Sequence, residues 1–141
     1  WQTGPETYLG IQVAGFPNMF MITGPQSPSV LTNMPVAIEQ HIEWIAEFIG
    51  YMRERGIEVV EADPSAETDW VSHSDEVAES TMYMLGNSWY LGANIPGKPR
   101  VFTPYAGGMG NYRGKCSEIA DNDYEGFILG PDKRRTIPST P

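Results

Sequence analysis

A run of apolar residues that stops at a Gly-Pro turn and restarts as a long amphipathic helix constrains this chain more than any other feature. The run is Met19-Phe20-Met21-Ile22-Thr23, the turn region extends from Gly24 to Met34, and the helical pattern starts at Pro35. With no polar residue alternating before Thr23, the run reads as a strand covered on both faces, as in a parallel sheet. Ligands of such α/β sheets sit at the carboxyl ends of strands, which here means the Gly24 to Met34 stretch. The helix is expected from Pro35 to about Arg55, with Ile38, Ile42, Ile45, Phe48, Ile49 and Met52 along one face. Asn33 suits the N-cap, Pro35 the first turn, and Gly56 a left-handed close. The free amides at Met34 would then face outward beside a partial positive charge that favours an anion or an electron-rich carbonyl.

Further along, Asn87-Ser88-Trp89-Tyr90-Leu91-Gly92-Ala93-Asn94-Ile95-Pro96-Gly97-Lys98-Pro99-Arg100 has neither helical nor strand periodicity. Structureless segments of about 12–15 residues or more are uncommon in compact domains and are usually functional or disordered. Trp89 and Tyr90 favour the functional alternative. By itself, Trp89 is more often a packed aromatic than a ligand contact.

The remaining elements are short. Strands are expected at Ile57 to Glu61, Arg100 to Tyr105 and Gly126 to Leu129. A second helix is expected from Asp63-Pro64-Ser65 to about Thr81, burying Trp70, Val77, Ala78 and Thr81, and a third from about Tyr112 to Ala120. Gly108-x-Gly110 imitates the opening of a dinucleotide fingerprint. Arg113 occupies the third glycine's place and no room is left for a βαβ unit, so a plain turn is the better reading.

Composition excludes several roles. A net charge of −9 without a basic block argues against nucleic acid, whose phosphates need clustered Lys and Arg. The basic cluster Lys133-Arg134-Arg135 lies in a Pro-rich tail. A single cysteine excludes an internal disulfide framework and fits a reducing cytoplasm. No apolar run approaches the roughly 20 residues of a membrane span. His41 and His73 lack neighbours at ligand spacing, so no metal site is expected. Glu39 and Glu43 read as solvated helix charges, and Cys116 as an inert thiol.

Several separated segments together resemble one family, the flavin-dependent Baeyer–Villiger monooxygenases of the phenylacetone and cyclohexanone monooxygenase type. They are Ala14-Gly15-Phe16-Pro17-Asn18, the Gly24 to Met34 run, Ile38-Glu39-Gln40-His41 with Trp44, the Ser88 to Pro99 loop, Gly107-Gly108 with Tyr112-Arg113, and Tyr124-Glu125-Gly126-Phe127. The resemblance runs from about Thr3 to Gly130 and implies the last quarter of such an enzyme. The expected fold class is thus α/β, a C-terminal piece completing the FAD domain of a flavoprotein with two Rossmann-type dinucleotide-binding domains. Its implied parts are residues 1–56 as the last strand and helix of the FAD domain, 57–82 as a connecting strand and helix, 83–130 as an NADP-covering loop with a closing helix and strand, and 131–141 as a tail.

The resemblance also implies chemistry. NADPH reduces bound FAD, the reduced flavin activates O₂, and one oxygen atom enters a ketone to give an ester or lactone. The cofactor carries that chemistry, while the protein supplies placement, electrostatics and exclusion of water. Asn33 and Met34 correspond to residues at the flavin's pyrimidine edge, Ser29, Val30 and Leu31 to a loop beside the ketone pocket, and Trp89 to the loop tryptophan that closes over NADP. No catalytic residue or metal ligand is expected within the segment, whose missing N-terminal FAD- and NADP-binding part would be its partner, leaving the segment alone inactive. Two departures stand out: Gln26 where many relatives have Gly, so that its side chain is expected to bear on the pocket, and Gly24-Pro25 where the wider class has Gly-Asp. The alternatives are a flavin monooxygenase acting on nitrogen or sulfur, against which the Trp89 loop argues, and a noncatalytic remnant.

Overall fold

The computed structural model describes residues 4–86, 88–92, 96–97 and 99–130. Among the described residues are three α-helices and two strands: α1 (Met34–Glu54), β1 (Val59–Ala62), α2 (Pro64–Glu79), α3 (Met109–Asp121) and β2 (Phe127–Gly130). Short 3-10 turns occupy Ser29–Leu31, Met82–Leu85 and Trp89–Leu91. Among the described residues no helix is long and apolar enough to cross a membrane.

The helix ends follow their capping chemistry. Gly56 leaves α1 at φ 64°, a conformation that costs glycine little. Asp63 caps α2, its carboxylate accepting from the Ser65 amide at 2.8 Å and the Ala66 amide at 3.3 Å. The bond from the Ser65 hydroxyl, followed by these two amide bonds, holds its carboxyl below the usual range. α3 starts at Met109, three residues before the expected Tyr112, because Gly108 at φ 83° makes the turn into it. The Gly108-x-Gly110 segment is therefore a turn and the first residues of a helix.

The apolar face of α1 is rotated from the expected one. Ala37, Trp44, Ile45, Phe48 and Met52 are buried together with His41, whereas Ile42 is 52% exposed. Phe48 and Tyr124 stack with ring centroids 3.8 Å apart, and Trp44, Phe127 and Tyr8 extend the cluster. The Trp44 indole N–H donates to the Cys116 carbonyl at 2.9 Å, fastening α1 to α3. Tyr124 precedes β2, which pairs antiparallel with β1 from Val59 opposite Gly130 to Ala62 opposite Phe127.

Two expected strands are not formed. Met19 to Thr23 is irregular: Met19 N–H bonds Phe16 at 3.3 Å within its own turn, Met21 N–H bonds Ile11 at 2.8 Å, and just beyond the run Gly24 N–H bonds Gly10 at 3.1 Å. Met19 is 39% and Ile22 42% exposed, so this run is not covered on both faces, and Thr23 at φ 52° turns the chain away. A ladder requires a partner along the whole strand, and the 8–12 turn offers only its tip. Arg100 to Tyr105 likewise forms no ladder: its backbone is spent singly, on Tyr90 and on the 26–27 turn. The sheet among the described residues is thus the antiparallel β1–β2 pair. The tail from 131, with Lys133-Arg134-Arg135, and Asn87, Ala93, Asn94, Ile95 and Lys98 of the long loop lie outside the described residues.

Candidate functional site

Residues 24–34 deliver the start of α1 through a turn fixed from three sides. The first is the 7–12 segment, where Leu9 and Gly10 both have positive φ, 59° and 70°, and the Ile11 amide donates to Tyr8 at 3.0 Å, the form of a type I′ turn. Gly10 and Gly24 pack so closely that a Cβ on Gly24 would lie 2.6 Å from the Gly10 carbonyl oxygen. The second side is residues 103–105: the Gln26 amide donates to Thr103 and the Tyr105 amide to Ser27, each at 2.7 Å. The third is α2, whose Trp70 indole N–H donates to the Gln26 carbonyl at 3.1 Å.

Gln26 differs from its expected role. Its side chain is 1% exposed and its Nε2 donates to the Pro5 carbonyl at 2.9 Å. The side chain ties the turn to the N-terminal segment and does not face an open pocket. Its backbone bends the chain at φ 58° without a glycine; the fixed hydrogen bonds offset a conformation that costs an L-residue roughly 1–2 kcal/mol.

From this turn the candidate residues emerge. Gln26, Ser27 and Pro28 are buried, Ser29 and Leu31 are half-buried, and Val30 is 41% exposed. The Asn33 carbonyl accepts from the Ala37 amide at 3.1 Å, but its side chain makes no capping bond. Pro35 has no N–H, so the first-turn amides left without an intrahelical acceptor are those of Met34 and Val36. They end a helix of 21 residues, carry its partial positive charge and favour an electron-rich oxygen.

Trp89 opens a 3-10 turn capped by the Ser88 hydroxyl, which accepts from the Tyr90 amide at 3.2 Å. Its ring is 61% exposed and lies 4.0 Å from that of Tyr90. Leu91 is buried with Ala78 and Phe102, and Leu31 packs against this same cluster. Thr103 completes the link, donating its amide to Tyr90 at 3.0 Å while accepting from Gln26. The two stretches singled out in the sequence thus share one small apolar cluster and one backbone strap.

Sequence reasoning missed the centre beneath them. His41 is fully buried, its Nδ1 accepting from the Thr23 amide at 3.0 Å and its Nε2 lying 2.7 Å from the Tyr112 hydroxyl. That hydroxyl also lies 2.6 Å from the Leu9 carbonyl. Burial pushes the imidazole down to about 4, against a smaller opposite pull from the Met21 carbonyl. Tyr112 is pushed up, first by burial and then by Cys116. Burial raises the Cys116 thiol to about 11, in keeping with an inert thiol. The one available signal was that His41 shares a helix face with Ala37, Trp44, Ile45 and Phe48, where a polar ring demands partners.

A cavity of about 630 Å³ lies elsewhere, lined by Tyr8, Asp69, Trp70, His73, Lys115 and Glu118 among others. None of Ser29 to Met34, nor Trp89, contributes to it.

The chain is 43% identical over 132 residues to a phenazine N-monooxygenase of Lysobacter antibioticus, covering 94% of this chain and 24% of that protein. It is 42% identical over 129 residues to a cyclohexanone 1,2-monooxygenase of an Acinetobacter species, covering 92% and 23%. An oxidized steroid monooxygenase bound to NADP superposes with a TM-score of 0.84 at 45% identity, covering 92% of this chain and 24% of that one. The chain therefore spans about a quarter of the length of the curated relatives it matches. No family model matches it.

Proposed function

We propose that this chain, homologous along about nine-tenths of its length to a quarter of the Baeyer–Villiger monooxygenases, forms part of an FAD- and NADPH-dependent enzyme that inserts one oxygen atom of O₂ into a ketone. The observation carrying this reading is the opening of α1: two first-turn amides with no side-chain cap, set on a turn that is itself buried and hydrogen-bonded. That opening fits the electron-rich carbonyl edge of a flavin, and a preorganised dipole there stabilises added negative charge without reorganising. Bound FAD would supply electron transfer from NADPH and the activation of O₂. Asn33 and Met34 would hold its pyrimidine edge.

Ser29, Val30 and Leu31 follow directly on the buried turn, so the side-chain volume of the exposed Val30 would select among ketones. Trp89 would cover the nicotinamide nucleotide and help keep water out, with Leu91 and Thr103 tying its turn to that of Leu31. The reaction balances as ketone, O₂, NADPH and a proton giving ester or lactone, NADP⁺ and water.

The complete reading frame containing this chain is to be expressed, its flavin content measured, and its NADPH consumption followed across a ketone panel with product analysis. Bound FAD with ketone-dependent NADPH oxidation, and a product one oxygen heavier than the ketone, is expected. Absence of flavin, or NADPH oxidation insensitive to every ketone, overturns the reading. The equal match to a phenazine N-monooxygenase supports a second reading, oxygen transfer to an aromatic nitrogen, which predicts an N-oxide from phenazines in the same assay.

A further inference from the structure

We infer that His41 is a positioning residue for the cofactor-facing opening of α1, holding the Thr23 amide and so fixing the chain that enters the Gly24 to Met34 turn. The inference rests on the proposed role of that opening, but its geometry stands alone. The Thr23 amide at 3.0 Å requires a bare Nδ1, because an N–H cannot point at another N–H. The neutral ring then carries its proton on Nε2, which donates to the Tyr112 oxygen at 2.7 Å. Tyr112 is left with one O–H, and the Leu9 carbonyl at 2.6 Å receives it. The donors from Thr23 through His41 and Tyr112 to Leu9 thereby all point in one direction, from the Thr23 amide toward the Leu9 carbonyl.

The two ends of this chain flank the closest backbone packing near the site. Thr23 precedes Gly24, and Leu9 precedes Gly10; the Gly24 amide donates to the Gly10 carbonyl at 3.1 Å, with no room for a Cβ at Gly24. Thr23 is also held at φ 52°, which a residue with a branched Cβ rarely adopts without outside support. His41 supplies that support from the second turn of α1, whose first turn is the opening itself. The imidazole thus ties the incoming chain to the helix it starts, and Tyr112 sets the ring from α3.

Two replacements separate positioning from mere filling. In His41→Asn, the side-chain oxygen falls near the place of Nδ1 and can still accept from Thr23. In His41→Gln, the amide reaches toward Tyr112 and the Thr23 acceptor is withdrawn. In the flavin-free full-length protein, hydrogen exchange of the Thr23 amide is expected to accelerate at least tenfold in His41→Gln and to stay within about threefold of the parent in His41→Asn. In the FAD-bound protein, His41→Gln is expected to raise the FAD dissociation constant at least tenfold and to shift the visible flavin band, with His41→Asn near the parent on both counts.

Equal exchange at Thr23 in both variants, or changes that follow only each variant's thermal midpoint, overturns the inference. A parent that binds no FAD, with the exchange pattern as expected, overturns the flavin reading and leaves His41 as the lock of the turn. The expected exchange pattern with unchanged FAD affinity and spectrum refutes the effect on the cofactor.

Discussion

Replacing Tyr112 by Phe removes a single oxygen atom from the buried centre and leaves the aromatic ring in place. That oxygen serves two groups at once: it accepts from His41 Nε2 at 2.7 Å and donates to the Leu9 carbonyl at 2.6 Å. Tyr112, His41 and Leu9 are each 0% exposed, so neither orphan can turn to solvent. A buried polar group left unpaired costs about 1–3 kcal/mol, so the two together cost roughly 2–6 kcal/mol. With a domain's whole stability at about 5–15 kcal/mol, the loss is large. Urea unfolding followed by tryptophan fluorescence reads it directly, and for a slope near ~2 kcal/mol/M the midpoint should fall by roughly 1–3 M at unchanged slope. Tyr51→Phe is the matched control, because its hydroxyl bonds Asp123 at 3.2 Å at the surface; it should change stability by no more than about 0.5 kcal/mol. A Tyr112→Phe midpoint within ~0.3 M of the parent, or an equal loss in the control, would refute the assignment of these two hydrogen bonds.

Other outcomes follow from the same geometry. His41 is held neutral, down to about 4 from an ordinary 6.5, so the unfolded chain binds the extra proton in that window. Stability tied to His41 is therefore complete above pH 6.5 and falls as pH drops toward 4, by roughly 3 kcal/mol at 1.36 kcal/mol per pH unit; the parent should lose that much more than His41→Asn in acid titrations of stability. Asp63→Ala removes the α2 cap and should cost about 1 kcal/mol by urea unfolding, while Asp63→Asn, which can still accept, should cost less. Gly24→Ala drives a Cβ against the Gly10 carbonyl, and flavin content of the full-length protein should fall severalfold with helix content by circular dichroism unchanged. Trp89→Ala should raise the KM for NADPH severalfold and uncouple NADPH use from product; unchanged kinetics would remove Trp89 from the nucleotide site.

Local chemistry was written plainly enough to be read. The span of α1, the Asp63 cap, the Gly56 exit and the turn at Gly108 all follow from side chains acting on their own neighbours within one or two turns, and each segment carrying the family resemblance is a short stretch legible by itself. Other features depend on partners far along the chain. Ile42 looked like core and is exposed, while His41 looked solitary and is buried, because Thr23 and Tyr112 satisfy its two nitrogens from 18 and 71 residues away. Gln26 looked like a pocket residue, and Pro5 and Thr103 made it a tie. Periodicity reports which face of a helix is apolar; it carries no record of which distant donor or acceptor meets a polar group, and desolvation makes those meetings decide what is buried. Amino-acid order alone thus determined that the helices form, the ends of α1 and the kinship of this chain, while the start of α3 was read three residues late. The placement of the turn before α1, and the apolar cluster and backbone strap it shares with the Trp89 turn, were decided only by long-range hydrogen bonds closed in the folded state.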